Sequence, residues 1–182
     1  MSQKPAIFLD RDGVINESPG KGYVRSWNEF KFLPGSLEAL RDLSQAGFAL
    51  FVVSNQSGVA RGLYTEEDLR VVNQQMLETV RAAQAGFEAV YYCIHSPEAN
   101  CSCRKPKTGL IDKAKSCLPI DLPASYVIGD DPKDIALGQQ AGIKTILVLS
   151  GKTSQAQAGQ INPAPDKIFA DLQNAAGWIL QQ

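Results

Sequence analysis

Apolar residues in this chain fall into short runs, each closed by a polar cluster or a glycine turn. The first, 6–9, reads Ala-Ile-Phe-Leu and stops abruptly at Asp10-Arg11-Asp12-Gly13-Val14-Ile15-Asn16. Similar runs occupy 48–53, 87–92, 125–129 and 145–149. A strand without polar alternation is one covered on both faces, as in the middle of a parallel sheet. Between the runs apolar residues recur at helical spacing: Leu37, Leu40 and Leu43, then Leu69, Val72, Met76 and Val80, then Leu110, Ile111, Ala114 and Leu118. On the last of these stripes Cys117 is expected to be core. Pro34-Gly35-Ser36, Thr65-Glu66-Glu67-Asp68 and Pro132 mark helix starts, while Gly47, Gly86 and Gly142 mark stops. A closing helix is predicted over 172–180, and 152–165 is predicted to be a surface loop. Strand, helix and strand in repetition imply right-handed crossovers and an α/β fold, a doubly wound, mainly parallel sheet. In such a sheet ligands bind at the C-terminal ends of the strands.

The polar clusters therefore become candidate chemistry. They are Asp10 and Asp12 after the first run, Ser54 and Asn55 after the second, Arg104 and Lys105 after the third, and Asp130 and Asp131 after the fourth. All four are expected at one edge of the sheet, forming one pocket. A carboxylate there can attack an electrophile, and a second on the turn that Gly13 allows can exchange a proton with the leaving group. Several carboxylates beside a phosphate would repel one another, so the pocket calls for a cation. Magnesium takes oxygen ligands, which makes Asp10, Asp130 and the Asp12 backbone carbonyl candidate ligands, with Lys105 neutralising the rest. Gly20-Lys21-Gly22-Tyr23 belongs to a turn-rich loop beside the aspartates, the kind of segment that selects a substrate.

Cys93, His95, Cys101 and Cys103 lie within eleven residues and form a Cys3His set. Zinc favours four such ligands in a tetrahedron, and a closed set with no water position is structural. His95 is the only histidine in the chain, which weakens any histidine-based mechanism. The 182 residues fit one domain, 1–182, with the loop 93–103 inside it. Eighteen Lys and Arg against nineteen Asp and Glu give a net charge of −1, so no global basic field exists for nucleic acid or an anionic membrane. There is no long apolar stretch for a membrane span, Met1-Ser2-Gln3-Lys4-Pro5 lacks a signal sequence, and clustered thiols suit metal in a reducing compartment. The expectation is a cytoplasmic protein, a monomer, with no nucleic-acid or membrane partner.

These residues resemble the four motifs of the haloacid dehalogenase superfamily of aspartate-dependent phosphohydrolases, in the expected order. Phe8 to Asn16 looks like the first, Ser54-Asn55 the second, Lys105 the third, and Gly129-Asp130-Asp131 with Asp134 the fourth. Asp-Arg-Asp-Gly-Val-Ile-Asn, Ser-Asn-Gln-Ser-Gly-Val-Ala-Arg-Gly and Cys-x-His…Cys-x-Cys-Arg-Lys-Pro are further similar to the type containing heptose 1,7-bisphosphate 7-phosphatases and histidinol-phosphatases. The resemblance spans roughly residues 5–150. It implies a phosphatase of this fold with a short zinc-binding loop in place of a large cap domain, using catalytic Mg2+ and structural Zn2+. Asp10 would be the nucleophile and Asp12 the general acid/base, while Ser54 and Lys105 would hold the phosphoryl group. Arg104, the amides of Asn55, Gln56 and Ser57, and the loop ending at Gly22 and Tyr23 would meet the substrate, a phosphorylated sugar. The implied reaction removes the 7-phosphate of a heptose 1,7-bisphosphate, a step towards lipopolysaccharide. Histidinol phosphate as substrate, transfer to an alcohol, and an idle zinc-stabilised interaction module are the other readings. Asp131 stands where such enzymes can carry lysine, which opens a second acidic magnesium contact. The gap from His95 to Cys101 is also short beside some relatives.

Overall fold

The computed structural model describes residues 3–182; Met1 and Ser2, the first two residues of the stretch read as lacking a signal sequence, lie outside them. Six strands form one parallel sheet: β1 (Lys4–Leu9), β2 (Ala49–Asn55), β3 (Ala89–Cys93), β4 (Ile120–Gly129), β5 (Lys144–Val148) and β6 (Lys167–Phe169). Their order across the sheet is β3-β2-β1-β4-β5-β6. The chain winds outward from β1 in one direction and then, beyond β4, in the other. The switch point falls between β1 and β4, where such sheets open a crevice for ligands.

Because side chains alternate along a strand, β1 feeds both faces. Ile7 and Leu9 pack with Leu50, Val52, Ile128 and Val148 beneath α1 (Ser36–Gln45), α2 (Glu66–Ala82) and α6 (Leu172–Ile179). Ala6 and Phe8 pack on the other face with Phe51, Val127, Leu110 and Leu137, covered by α3 (Gly109–Cys117) and α4 (Pro132–Ala141). Ala6 through Leu9 are wholly buried, as the unbroken apolar run requires. Trp27 stacks on Phe30, Phe32 meets both rings edge-on, and the three fasten the segment after the first loop to the core.

Three local features depart from the pattern reading. β4 begins at Ile120, five residues before the apolar run, and its pairing with β1 shifts register between Pro5 and Ile7. The stretch 152–165 holds a four-residue helix, α5 (Gln155–Ala158), and is followed by the three-residue edge strand β6. Cys117 is exposed at the last turn of α3, its thiol 2.9 Å from the Tyr91 hydroxyl, while Leu110 and Ala114 of the same stripe are buried. No helix among the described residues is long and apolar enough to cross a membrane.

Candidate active site

The C-terminal ends of β1, β2 and β4 converge as the pattern requires. A cavity of about 210 Å³ is lined by Asp10, Asp12, Ser54, Asn55, Ser57, Arg104, Lys105, Asp131 and Asp134, with Gly22 and Tyr23 from the first loop. Gly13 makes the turn after β1 possible. Its φ is +87°, and a Cβ there would run into the Asp130 carboxylate. Ser150 donates to the Gly13 carbonyl at 2.7 Å and ties this turn to the end of β5.

Asp10 sits at the floor. Its Oδ1 accepts the Arg11 backbone N–H at 2.8 Å, and its Oδ2 lies 3.1 Å from the Lys105 ammonium. Burial pushes its carboxyl up, but Lys105, Ser54 and the Arg11 amide outweigh burial and hold it below the ordinary carboxylate range. Burial alone would likewise push Lys105 down, yet Asp10 and Asp134 raise it, so both groups stay ionised. The second partner of Lys105 is Asp134, at 2.5 Å and almost fully buried. Burial raises Asp134 to about 6, with Lys105 opposing. Asn55 fixes the main chain that carries this lysine: its Oδ1 accepts Lys105 N–H at 3.0 Å and its Nδ2 donates to Lys105 O at 3.2 Å.

Asp12 is held from three sides. Arg11 Nε and Asn16 Nδ2 donate to its Oδ1 at 3.0 and 2.9 Å, and Arg11 Nη2 and Gln56 Nε2 donate to its Oδ2 at 3.1 and 2.9 Å. Arg11 is wholly buried between the rings of Phe30 and Tyr92, 5.9 and 5.7 Å from their centroids. Gln56, expected among the residues meeting the substrate, belongs to this support instead. Its backbone N–H is taken by Cys93 O at 2.7 Å, and its side chain bonds Asp12, Ser54 and Tyr64. Ser57 does reach the cavity, 3.4 Å from the Tyr23 hydroxyl.

Asp10, Asp130 and Asp134 bring carboxylate oxygens within 4.8 Å of one another. Burial first, and then the charges of Asp10 and Asp134, push Asp130 up to about 7. Its Oδ1 is buried with no hydrogen-bond partner among the described residues, while its Oδ2 accepts Lys152 N–H at 2.7 Å. Three buried carboxylates with one orphaned oxygen fit a hard divalent cation. Asp131 is not part of this trio. Its Oδ1 caps α4 through Lys133 N–H at 3.0 Å, and its Oδ2 faces the ammonium groups of Lys133 and Lys152, each at 3.7 Å. With Oδ1 committed to the helix cap and Oδ2 facing two ammonium groups, Asp131 already has its partners. Lys21, from the turn-rich loop, and Arg61, Lys133 and Lys152 also line the cavity; Lys133 and Lys152, far apart in the sequence, gave no local signal.

Next to Arg104, the Cys3His set is assembled. Cys93 Sγ lies 3.6 Å from Cys101 Sγ and 3.7 Å from His95 Nδ1; Cys103 Sγ lies 3.5 Å from Cys101 Sγ and 3.3 Å from His95 Nδ1. These separations exceed a disulfide's ~2.05 Å. A tetrahedron with zinc–sulfur bonds of about 2.3 Å has edges of about 3.8 Å, so the donor set fits zinc. Lys107 Nζ donates to the carbonyls of Asn100 and Cys101 at 3.2 and 2.9 Å and fastens the loop that runs into Arg104 and Lys105.

Comparison with known proteins agrees with this geometry. The HAD-hydrolase-like family model matches residues 102–175. A D-glycero-beta-D-manno-heptose-1,7-bisphosphate 7-phosphatase of Salmonella typhi is 38% identical over 97% of this chain and 89% of its own length. One of Vibrio cholerae is 41% identical over 85% of this chain and 88% of its own. The crystal structure of D,D-heptose 1,7-bisphosphate phosphatase from B. bronchiseptica, complexed with magnesium and phosphate, superposes with a TM-score of 0.90 at 32% identity, covering 97% of this chain and 98% of that one. The chain thus belongs to the haloacid dehalogenase-like hydrolases and is a phosphoric monoester hydrolase of the heptose-1,7-bisphosphate 7-phosphatase family.

Proposed function

We propose that the protein acts on the 7-phosphate of D-glycero-D-manno-heptose 1,7-bisphosphate, through a covalent aspartyl-phosphate on Asp10. The observation that carries this reading is the ionised, buried Asp10 carboxylate, held by Lys105 and Ser54 and opening into the same cavity as Asp12. The Asp10 oxygen attacks phosphorus, the ester P–O bond breaks, and the departing sugar oxygen takes a proton from Asp12. Water then attacks the phosphorus of the acyl phosphate while Asp12 takes its proton. Inorganic phosphate leaves and the Asp10 carboxylate is restored. Arg11, Asn16 and Gln56 keep the Asp12 carboxylate aimed into the cavity, and Ser54 and Lys105 hold the phosphoryl oxygens.

Magnesium would be held by Asp10, Asp130 and the Asp12 backbone carbonyl, and when bound it neutralises charge on the transferring phosphoryl group. Zinc held by Cys93, His95, Cys101 and Cys103 would keep the loop 93–103 rigid and so position Arg104 and Lys105. Reduced cysteines suit the cytoplasm. Residues 1–182 would act as one catalytic domain.

Rim charge supports a substrate with a second anionic group. With magnesium bound, Asp10, Asp130, Asp134 and Lys105 balance and Asp12 is paired with Arg11, yet Lys21, Arg61, Arg104, Lys133 and Lys152 still face the cavity against Asp131. Phosphate release from heptose 1,7-bisphosphate, histidinol phosphate and simple sugar monophosphates tests the assignment. The bisphosphate should give the highest kcat/KM. A higher value for histidinol phosphate would overturn it.

A further inference from the structure

We propose that Asp131 together with Lys133 and Lys152 forms a cationic clamp that, beside Arg104, holds the phosphate of the substrate that is not transferred. The inference deepens the bisphosphate reading and rests on it for the natural substrate only.

Asp131 is an unusual group to find at the mouth of an anion-binding cavity, and the structure explains how it is accommodated. Its two oxygens have separate tasks. Oδ1 accepts the Lys133 backbone N–H at 3.0 Å and fixes the first turn of α4. Oδ2 stands 3.7 Å from both Lys133 Nζ and Lys152 Nζ. One carboxylate with two ammonium groups leaves a net charge of +1, as a single lysine at position 131 would, but spread over two donors. Since both ammonium groups lie 3.7 Å from one oxygen, they are at most about twice that apart, a gap that a phosphate with several acceptor oxygens can bridge.

The clamp is attached to the catalytic floor at two points. The Lys152 backbone N–H donates to Asp130 Oδ2 at 2.7 Å, and Asp134, the partner of Lys105, follows Lys133 on the same helical turn. Lys133 and Arg104 both line the active-site cavity and also share a neighbouring one beside the zinc loop, so the clamp and Arg104 adjoin. The lysine side chains are half exposed, at 53% and 48%, and their pairing with Asp131 is loose enough for an incoming dianion to compete for them.

Competitive inhibition of aryl phosphate turnover tests this without relying on the heptose. The probes are the bisphosphate of hexane-1,6-diol and hexyl phosphate. In the wild type the bisphosphate should bind at least about 10-fold tighter than the monophosphate. Lys133→Ala and Lys152→Ala should each cut that ratio by about 5- to 10-fold, the upper figure being what about 1.4 kcal/mol represents. The double variant should bring it close to unity, and Lys133→Arg should keep most of it. A ratio that survives in the double variant, or a wild type with no preference for the bisphosphate, overturns the clamp. If the ratio collapses as expected while heptose bisphosphate is a poor substrate, the clamp stands and only the heptose assignment falls.

Discussion

Replacing Asp134 with asparagine should have opposite consequences with and without magnesium, and the sizes follow from the geometry. Asp134 attracts Lys105 at 2.5 Å and repels Asp10 and Asp130, whose oxygens lie no more than 4.8 Å away. At an effective dielectric of 20, the attraction is about 6.6 kcal/mol and each repulsion at least about 3.5 kcal/mol. Without magnesium the two repulsions offset the attraction. Asp134→Asn should then shift Tm by no more than about 2 °C, because the isosteric amide also keeps an acceptor for the Asp131 N–H of the helix cap. Magnesium neutralises Asp10 and Asp130 and removes the repulsions from the balance, so Lys105 loses a buried partner uncompensated. Breaking such a pair costs roughly 3–5 kcal/mol, or about 6–20 °C at roughly 2–4 °C per kcal/mol for a chain of this size. Circular-dichroism melts of both proteins, in magnesium-free buffer and in saturating magnesium, measure the difference. An equal drop in both buffers would show that the carboxylate trio is not a charged cation site at all.

Asp12→Asn should lose about 10²–10⁴-fold in kcat on a sugar phosphate and much less on an aryl phosphate, whose leaving group needs little protonation; equal losses on both would remove the proton-transfer role. Cys101→Ser should lower the zinc content of purified protein from close to one equivalent and reduce kcat/KM by loosening Arg104 and Lys105, read by metal analysis and steady-state kinetics. A zinc-free wild type with full activity would refute that assignment. Asp130 and Asp134 have folded-state values raised to about 7 and about 6, so in magnesium-free buffer their contribution to stability is present below pH ~4 and is lost as pH rises to about 7. Because magnesium binds the ionised forms, the Tm increment it produces should grow from pH 5.5 to 8; a pH-independent increment would contradict this.

The interior strands were legible because their inner stretches, 6–9 in β1, 49–53 in β2 and 126–129 in β4, are buried on both faces and carry no charged side chain. The first half of β4, with Asp121 and Pro123, and the three-residue β6, two of whose residues are exposed, carry no such pattern. In the site, Asp10, Ser54 and Asp130 could be read from polar residues ending apolar strands, and Lys105 from the basic run that follows the Cys/His loop after β3. Asp134 could be read only as a member of a motif, because its local signal is that of a helix first turn, and it does complete the capping box with Asp131. Its second role, pairing Lys105, depends on a contact 29 positions away in the chain, which no window shows. Gln56 and Arg11 were hidden for a related reason. A polar side chain after a strand reads as solvent- or ligand-facing, whereas here both are buried to hold Asp12. The rim lysines Lys21, Lys133 and Lys152 come from two separate loops and a helix turn, so only the folded chain groups them.

The account stands on Asp10 as nucleophile, and trapping the phosphoenzyme tests that most directly. Enzyme mixed with phosphate-labelled substrate and quenched in acid within a turnover should carry label as an acyl phosphate on the peptide containing Asp10, labile to hydroxylamine. Asp10→Asn should carry none and turn over no substrate. A wild type that hydrolyses substrate without labelled peptide, or an Asp10→Asn variant that still becomes labelled, would contradict the mechanism.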